Sequence, residues 1–175
     1  MCESQAKLMV AVCDHVVCVK INGRADFNLS LDVKRLFDEL RQRGYQRFAL
    51  ELCDCVMMDS TFLGMLSGEG LKYRGAGIAQ DSWLELMNPC PRIAEVLENL
   101  GVAHLFKISI RADPLTVPYE TLSQTAVKNM AEVTRNCLEA HQTLMGVNPR
   151  NIQKFKDVAQ FLAEDLKRLE LAGKK

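Results

Sequence analysis

The sequence has no excess of charge of either sign: 22 Lys and Arg balance 22 Asp and Glu over 175 residues. Binding to a phosphate backbone needs a basic patch, so nucleic acid is not an expected partner. No run approaches the ~18 apolar residues of a membrane span, and no membrane insertion is expected. The opening stretch, MCESQAKLMVAV, has no basic segment ahead of a long apolar one, so no secretory signal is read there. Also missing are G-x-x-x-x-G-K-[ST], G-x-G-x-x-G, H-E-x-x-H and any Ser/His/Asp pattern; Gly75-Ala76-Gly77 reads as a turn after a helix. Catalysis finds no support, and no cofactor is implied. A binding module is the expectation.

The seven cysteines are odd in number and irregularly spaced, mostly among apolar residues, where a free thiol behaves as a small hydrophobe. Cys53-Asp54-Cys55 lacks a second pair, and His15, His104 and His141 are scattered, so no metal site is expected. A reduced, cytoplasmic setting follows. With 48% hydrophobic and 25% charged residues the chain has the composition of a folded protein, long enough for one domain and an appendage.

Two Val- and Ile-rich runs, Leu8 to Cys13 and His15 to Ile21, predict a hairpin. Val33, Leu36, Phe37 and Leu40 follow with helical spacing, with Ser30 as a candidate cap and Gly44 as the stop. Arg47 to Leu52 predicts a strand that continues apolar through Val56-Met57-Met58 to Asp59-Ser60-Thr61, a group suited to starting a helix. That helix carries Gly64, Ser67, Gly68 and Gly70, which suit close packing rather than intrinsic helicity. Ser82 to Met87 predicts a strand, Ile93 to Leu100 a helix closed by Gly101, and Phe106 to Ile110 a last strand. Such alternation predicts an α/β fold with helices over a sheet. Past residue 111 no β-rich run remains. Ala126, Met130, Val133, Cys137, Ala140 and Leu144, then Phe155, Val158, Ala159, Leu162, Leu166 and Leu169 after Asn148-Pro149, predict a helical hairpin. Two units are expected, residues 1–112 and 113–175.

Three segments resemble one family. Gly23-Arg24-Ala25-Asp26, Asp59-Ser60-Thr61-Phe62-Leu63-Gly64, and Asn88-Pro89 with Val96-Leu97-Glu98-Asn99-Leu100-Gly101-Val102 and Leu105-Phe106 are similar, in this order along the chain, to the STAS domains of bacterial anti-sigma factor antagonists. The resemblance spans roughly residues 8–110. It implies a STAS-like mixed sheet covered by helices, to which the C-terminal αα-hairpin is an extension. It also implies phosphorylation of Ser60 by a partner that is both a serine kinase and an anti-sigma factor, with Thr61 as the secondary acceptor and a phosphatase as a further candidate partner. Asp26 and Asp59 would flank the acceptor and, with Phe62 and Leu63, help to engage the partner. Phe62 stands where the family has glycine, which would change the partner's fit beside the acceptor. Without the resemblance, Ser60 reads as a helix cap and Asp26 and Asp54 as loop residues bonding their own backbone. A different reading of the same fold is a non-switched accessory subunit, similar to the STAS subunit of ABC-type lipid transport ATPases. The wide apolar faces of the hairpin, with Val127, Leu138, Phe161 and Leu169 off its seam, predict either docking on the domain or, preferred here, a homodimer.

Overall fold

The computed structural model describes residues 6–74, 83–111, 117–123 and 129–173. The predicted start of the fifth strand at Ser82, the Gly75-Ala76-Gly77 turn, the boundary at residues 112–113, Ala126 and Val127 lie outside the described residues.

Strands β1 (Lys7–Cys13) and β2 (Val16–Ala25) form the predicted antiparallel hairpin. Its two-residue turn is Asp14-His15, both with positive φ (47° and 64°), the pairing that matches the twist of the flanking strands. Helix α1 (Phe27–Gln42) leads to β3 (Arg47–Glu51), parallel to β2. The apolar run that follows forms a separate strand, β4 (Cys55–Met58), which pairs with the far end of β2. Helix α2 (Ser60–Lys72), β5 (Trp83–Met87), α3 (Pro91–Asn99) and β6 (Lys107–Ser109) complete the alternation, giving the order β6-β5-β3-β2-β1.

Two expectations fail here. Helix α1 starts at Phe27, not after Ser30: Asp26 is the cap, its Oδ1 accepting the N–H groups of Asn28 and Leu29, both at 3.0 Å. A carboxylate in extended backbone satisfies two orphan donors at once, and that leaves Ser30 inside the helix and buried. A strand also follows residue 111. Strand β7 (Glu120–Leu122) pairs antiparallel with β1 and extends the sheet to seven strands, so the sheet includes residues beyond 112. Three residues are too short a run for an alternating pattern to show.

One face of the sheet carries the main core, where Phe37, Phe48, Phe62, Leu50, Leu66 and Leu86 are buried among the helices. The other holds a smaller cluster of Ala11, Cys18, Ala49 and Met87, over which Val117 and Tyr119 pack. The C-terminal hairpin is present as α4 (Met130–Val147) and α5 (Ile152–Ala172), joined through a 3-10 turn at Pro149–Asn151 that Asn148 caps. Helix α4 packs on α2 and α1, and α5 packs on α4. The turn is tied to the end of α3. Asn151 Nδ2 donates to Leu100 O and Leu144 O, both at 2.9 Å, Asn148 Nδ2 to Leu100 O at 3.3 Å and Lys154 Nζ to Asn99 O at 3.2 Å. These are the carbonyls that a helix C-terminus leaves without partners. Gly101 has φ +69°, a conformation that L side chains rarely adopt, and a Cβ there would also push Asn148 Nδ2, 2.6 Å away, out of its place.

Candidate partner-binding site at the start of helix α2

The ends of β2 and β4 bring the first turns of α1 and α2 side by side, and Asp59 ties them together. Its Oδ1 accepts from Phe62 N at 2.8 Å, capping α2, and its Oδ2 accepts from Phe27 N at 2.7 Å, the first amide of α1. The Asp59 amide in turn donates to Ala25 O at 3.0 Å. Burial raises the pKa of this carboxyl and the neighbouring Asp26 charge adds to the rise, against the two amide hydrogen bonds that favour the ionised form. Asp26 and Asp59 are thus both helix caps, at the adjoining starts of α1 and α2.

Ser60 is the first residue of α2, and the cap is Asp59, so Ser60 does not cap the helix. Its hydroxyl points toward α4. Ser60 Oγ lies 3.0 Å from His141 Nε2, and His141 Nδ1 lies 2.7 Å from Cys137 O. A backbone carbonyl only accepts, so Nδ1 carries the proton; in the neutral ring Nε2 is then the acceptor and Ser60 donates. His141 is 5% exposed, its ring 5.2 Å from that of Phe155. Thr61 is buried, its hydroxyl within hydrogen-bonding reach of the Cys137 thiol. Burial lifts the pKa of that thiol, and Thr61 partly offsets the rise.

Phe62 is 0% exposed. Its ring sits in the main core rather than at the surface beside Ser60. Leu63 is also buried, but it forms the floor of a cleft of about 110 Å³ lined with Met57, Met58, Arg92, Ile93 and Val96. Where β2 and β4 end and α1 begins, an exposed patch is apolar and basic: Val56 is 59% and Phe27 42% exposed, and Arg24 Nη2 lies 3.7 Å from Met57 Sδ. Residue spacing gave no sign of this patch, because β4 was read as the tail of β3.

Sequence reasoning also missed His141. It lies 81 residues from Ser60 and occupies an unremarkable helical position, so only the docking of α4 brings the two together. Of the remaining sequence candidates, Asp54 makes a 2.7 Å ion pair with Lys20, and its main chain accepts from Gly23 N. Among the described residues no group of His, Cys, Asp and Glu is arranged to hold a metal.

No family model matches the chain, and no curated protein matches it in sequence. Solved structures do. The crystal structure of a Thermotoga maritima protein described as a candidate anti-sigma factor antagonist superposes with a TM-score of 0.51 at 23% identity, covering 61% of this chain and 86% of that one. The NMR structure of the same protein, TM1081, gives 0.51 at 24% identity, covering 58% of this chain and 78% of that one. The fold is STAS-like, a mixed sheet under helices, with the C-terminal helix pair added.

Proposed function

We propose that this chain is a phosphorylation-controlled partner-switching module, an antagonist that binds an anti-sigma factor serine kinase through the surface around Ser60. The observation that supports the reading most is the placement of Ser60 at the first position of α2, directly after the capping carboxylate Asp59, which also binds the first amide of the Asp26-capped α1 at the exposed Phe27. Amides at a helix start and the positive end of its dipole tolerate a phosphoryl group, so the domain stays folded when modified. The group adds about −1.5 to −2 charge beside two carboxylates, and an acidic or apolar partner surface would be repelled. Binding, rather than folding, is what switches. Thr61 is buried and is the poorer acceptor.

The test is incubation of the full chain with an anti-sigma factor serine kinase from the same organism and with ATP, followed by mass-spectrometric location of the phosphate. Phosphate on Ser60 and loss of pull-down by the kinase are expected. Modification elsewhere, or no modification and no binding, overturns the proposal.

One observation favours a second reading. The Ser60 hydroxyl is already used by His141 within the chain, as suits a constitutive accessory subunit of a lipid-transport ATPase complex that is never switched. Under that reading Ser60→Asp leaves partner binding unchanged and a permease gene lies alongside. A homodimer through α5 is a further part of the proposal: Val158, Phe161 and Leu171 stand exposed there, and sedimentation of the full chain as a monomer would remove it.

A further inference from the structure

The groove between α1 and α2 that bears Ser60 is occupied, and by the chain itself. Four residues of α2 meet α4: Ser60 bonds His141, Thr61 faces Cys137, Gly64 lies against Ala140 and Gly68 lies near Thr143. A Cβ at Gly64 would come within 2.3 Å of Ala140 O, so the two backbones touch. From α1, Ser30 Oγ accepts from Asn136 Nδ2 at 2.8 Å, Lys34 pairs with Glu139 at 2.7 Å and Arg35 with Glu132 at 2.5 Å.

The chemistry of this seam differs from that of a permanent core. Its contacts are small or polar side chains, with the ion pairs at its solvent edge and clefts of about 200 Å³ and 250 Å³ beside it. Leu144, fully buried, is the large apolar residue that α4 sends into the main core, and it sits beside the anchored turn at Asn148 to Asn151. Contacts are thus apolar near the anchored end of α4 and polar toward its start. A helix that leaves such a seam exposes hydroxyls, an amide, an imidazole and glycines rather than a wide apolar face, and its opening costs correspondingly less.

We propose that the α1–α2 groove is a helix-binding site whose resident ligand is α4, and that His141 latches α4 over Ser60, closing the hydroxyl to any modifying partner until α4 swings away about the Asn148–Asn151 turn. The occupant that fits is a helix with a small-residue stripe and an imidazole placed to accept from Ser60. A partner helix of that chemistry would gain the groove by displacing α4. This rests on the reading of Ser60 as the control point, but its test does not require a kinase.

The experiment places a thiol at the position of the hydroxyl with Ser60→Cys in the full chain and follows alkylation by N-ethylmaleimide through peptide mass mapping, with exposed Cys13 as internal reference. The thiol at position 60 is expected to react at least about tenfold more slowly than Cys13, because it reacts only when α4 opens. Two wedges, Gly64→Leu on the groove and Ala140→Leu on the helix, should each bring it to within about threefold of Cys13 while amide exchange in β2 and β3 stays slow. Adding His141→Ala should raise its rate at least about twofold, because the ring that covers position 60 and helps to hold α4 is removed. Equal reaction at position 60 and Cys13 without a wedge overturns the proposal. So does loss of β2 and β3 protection in both wedges, which would make the seam part of the obligate core. Continued protection at position 60 while exchange shows α4 open would place the shielding in α2 itself and also defeat it. A chain that passes this test yet is never phosphorylated would keep the latch and lose the switch.

Discussion

Helix α2 presents two faces with opposite designs. Toward the sheet it sends Phe62 and Leu66, both fully buried in the main core. Toward α4 it shows Ser60, Thr61, Gly64 and Gly68. The first face holds by removing apolar area from water and by dense packing, which is lost only with the fold. The second holds by close backbone approach and a few directional bonds, each worth about 1 kcal/mol. One helix thus joins a permanent layer to a separable one, and the candidate acceptor is on the separable side.

The most damaging way to probe this contrast is Phe62→Ala. It leaves a ring-sized void in the core and is expected to cost about 3–5 kcal/mol, enough to unfold a marginal domain, as read by urea denaturation. Phe62→Gly, which restores the residue of the resembling family, should be no better. An unchanged midpoint would mean that the ring is not packed as described. Next in size is Asp59→Ala, which removes the bridge between the two helix starts and should lower stability by about 2 kcal/mol. On the other face, Ser60→Ala and His141→Ala should each cost about 1 kcal/mol. Their double-mutant cycle should show coupling of at least about 0.5 kcal/mol, since the two share one hydrogen bond. Costs on the α4 side as large as that of Phe62→Ala would erase the distinction between the faces.

The permanent side was largely legible in the sequence. Val and Ile runs gave β1 and β2, helical spacing gave α1, and Asp59-Ser60-Thr61 ahead of an apolar run located the start of α2, because these patterns record local periodicity and burial against a single sheet. Misreadings arose where two local solutions competed. Ser30 and Asp26 were both able to cap α1; the carboxylate captured two amides, and Ser30 was left to receive Asn136 from α4. The separable side was legible only as an anomaly. Gly64 and Gly68 indicated a close backbone approach without naming what approaches, and His141 looked like any histidine on a helix. A pair of residues 81 positions apart leaves no periodic trace. The apolar seam of the hairpin reads more readily as a dimer interface, and what docks α4 and its turn on the domain is largely polar: Asn136, His141 and Asn151 reaching α1, α2 and the end of α3.

The smallest expected effect concerns pH, and it compares two carboxyls, one buried and one half-buried, whose pKa shifts have opposite sign. Glu85, on β5, is 1% exposed. Burial pushes its pKa up, but the Ser109 hydroxyl at 2.6 Å and the Lys107 and Arg111 charges outweigh that and hold it below its ordinary value of 4.5. Its folded pKa is depressed, so its contribution is present above the unfolded value and is lost as pH falls through the folded one. Asp59 behaves the other way. Its folded pKa is raised above the ordinary 3.8 by burial, so its contribution is fully present below the unfolded value and is lost as pH rises through the folded one. Between those two values the folded chain holds more proton at Asp59 than the unfolded chain does, which makes its share of the stability slope negative. Glu85→Gln should therefore flatten the loss of stability on acidification below about pH 4.5, whereas Asp59→Asn should steepen it just above the ordinary carboxylate value of about 4, whatever each does to stability at neutral pH. Denaturant midpoints measured across that range in the two variants and the parent check the signs. If both variants flatten the profile, the Asp59 carboxyl is ionised in the folded chain through the whole range, and its two amide hydrogen bonds outweigh its burial.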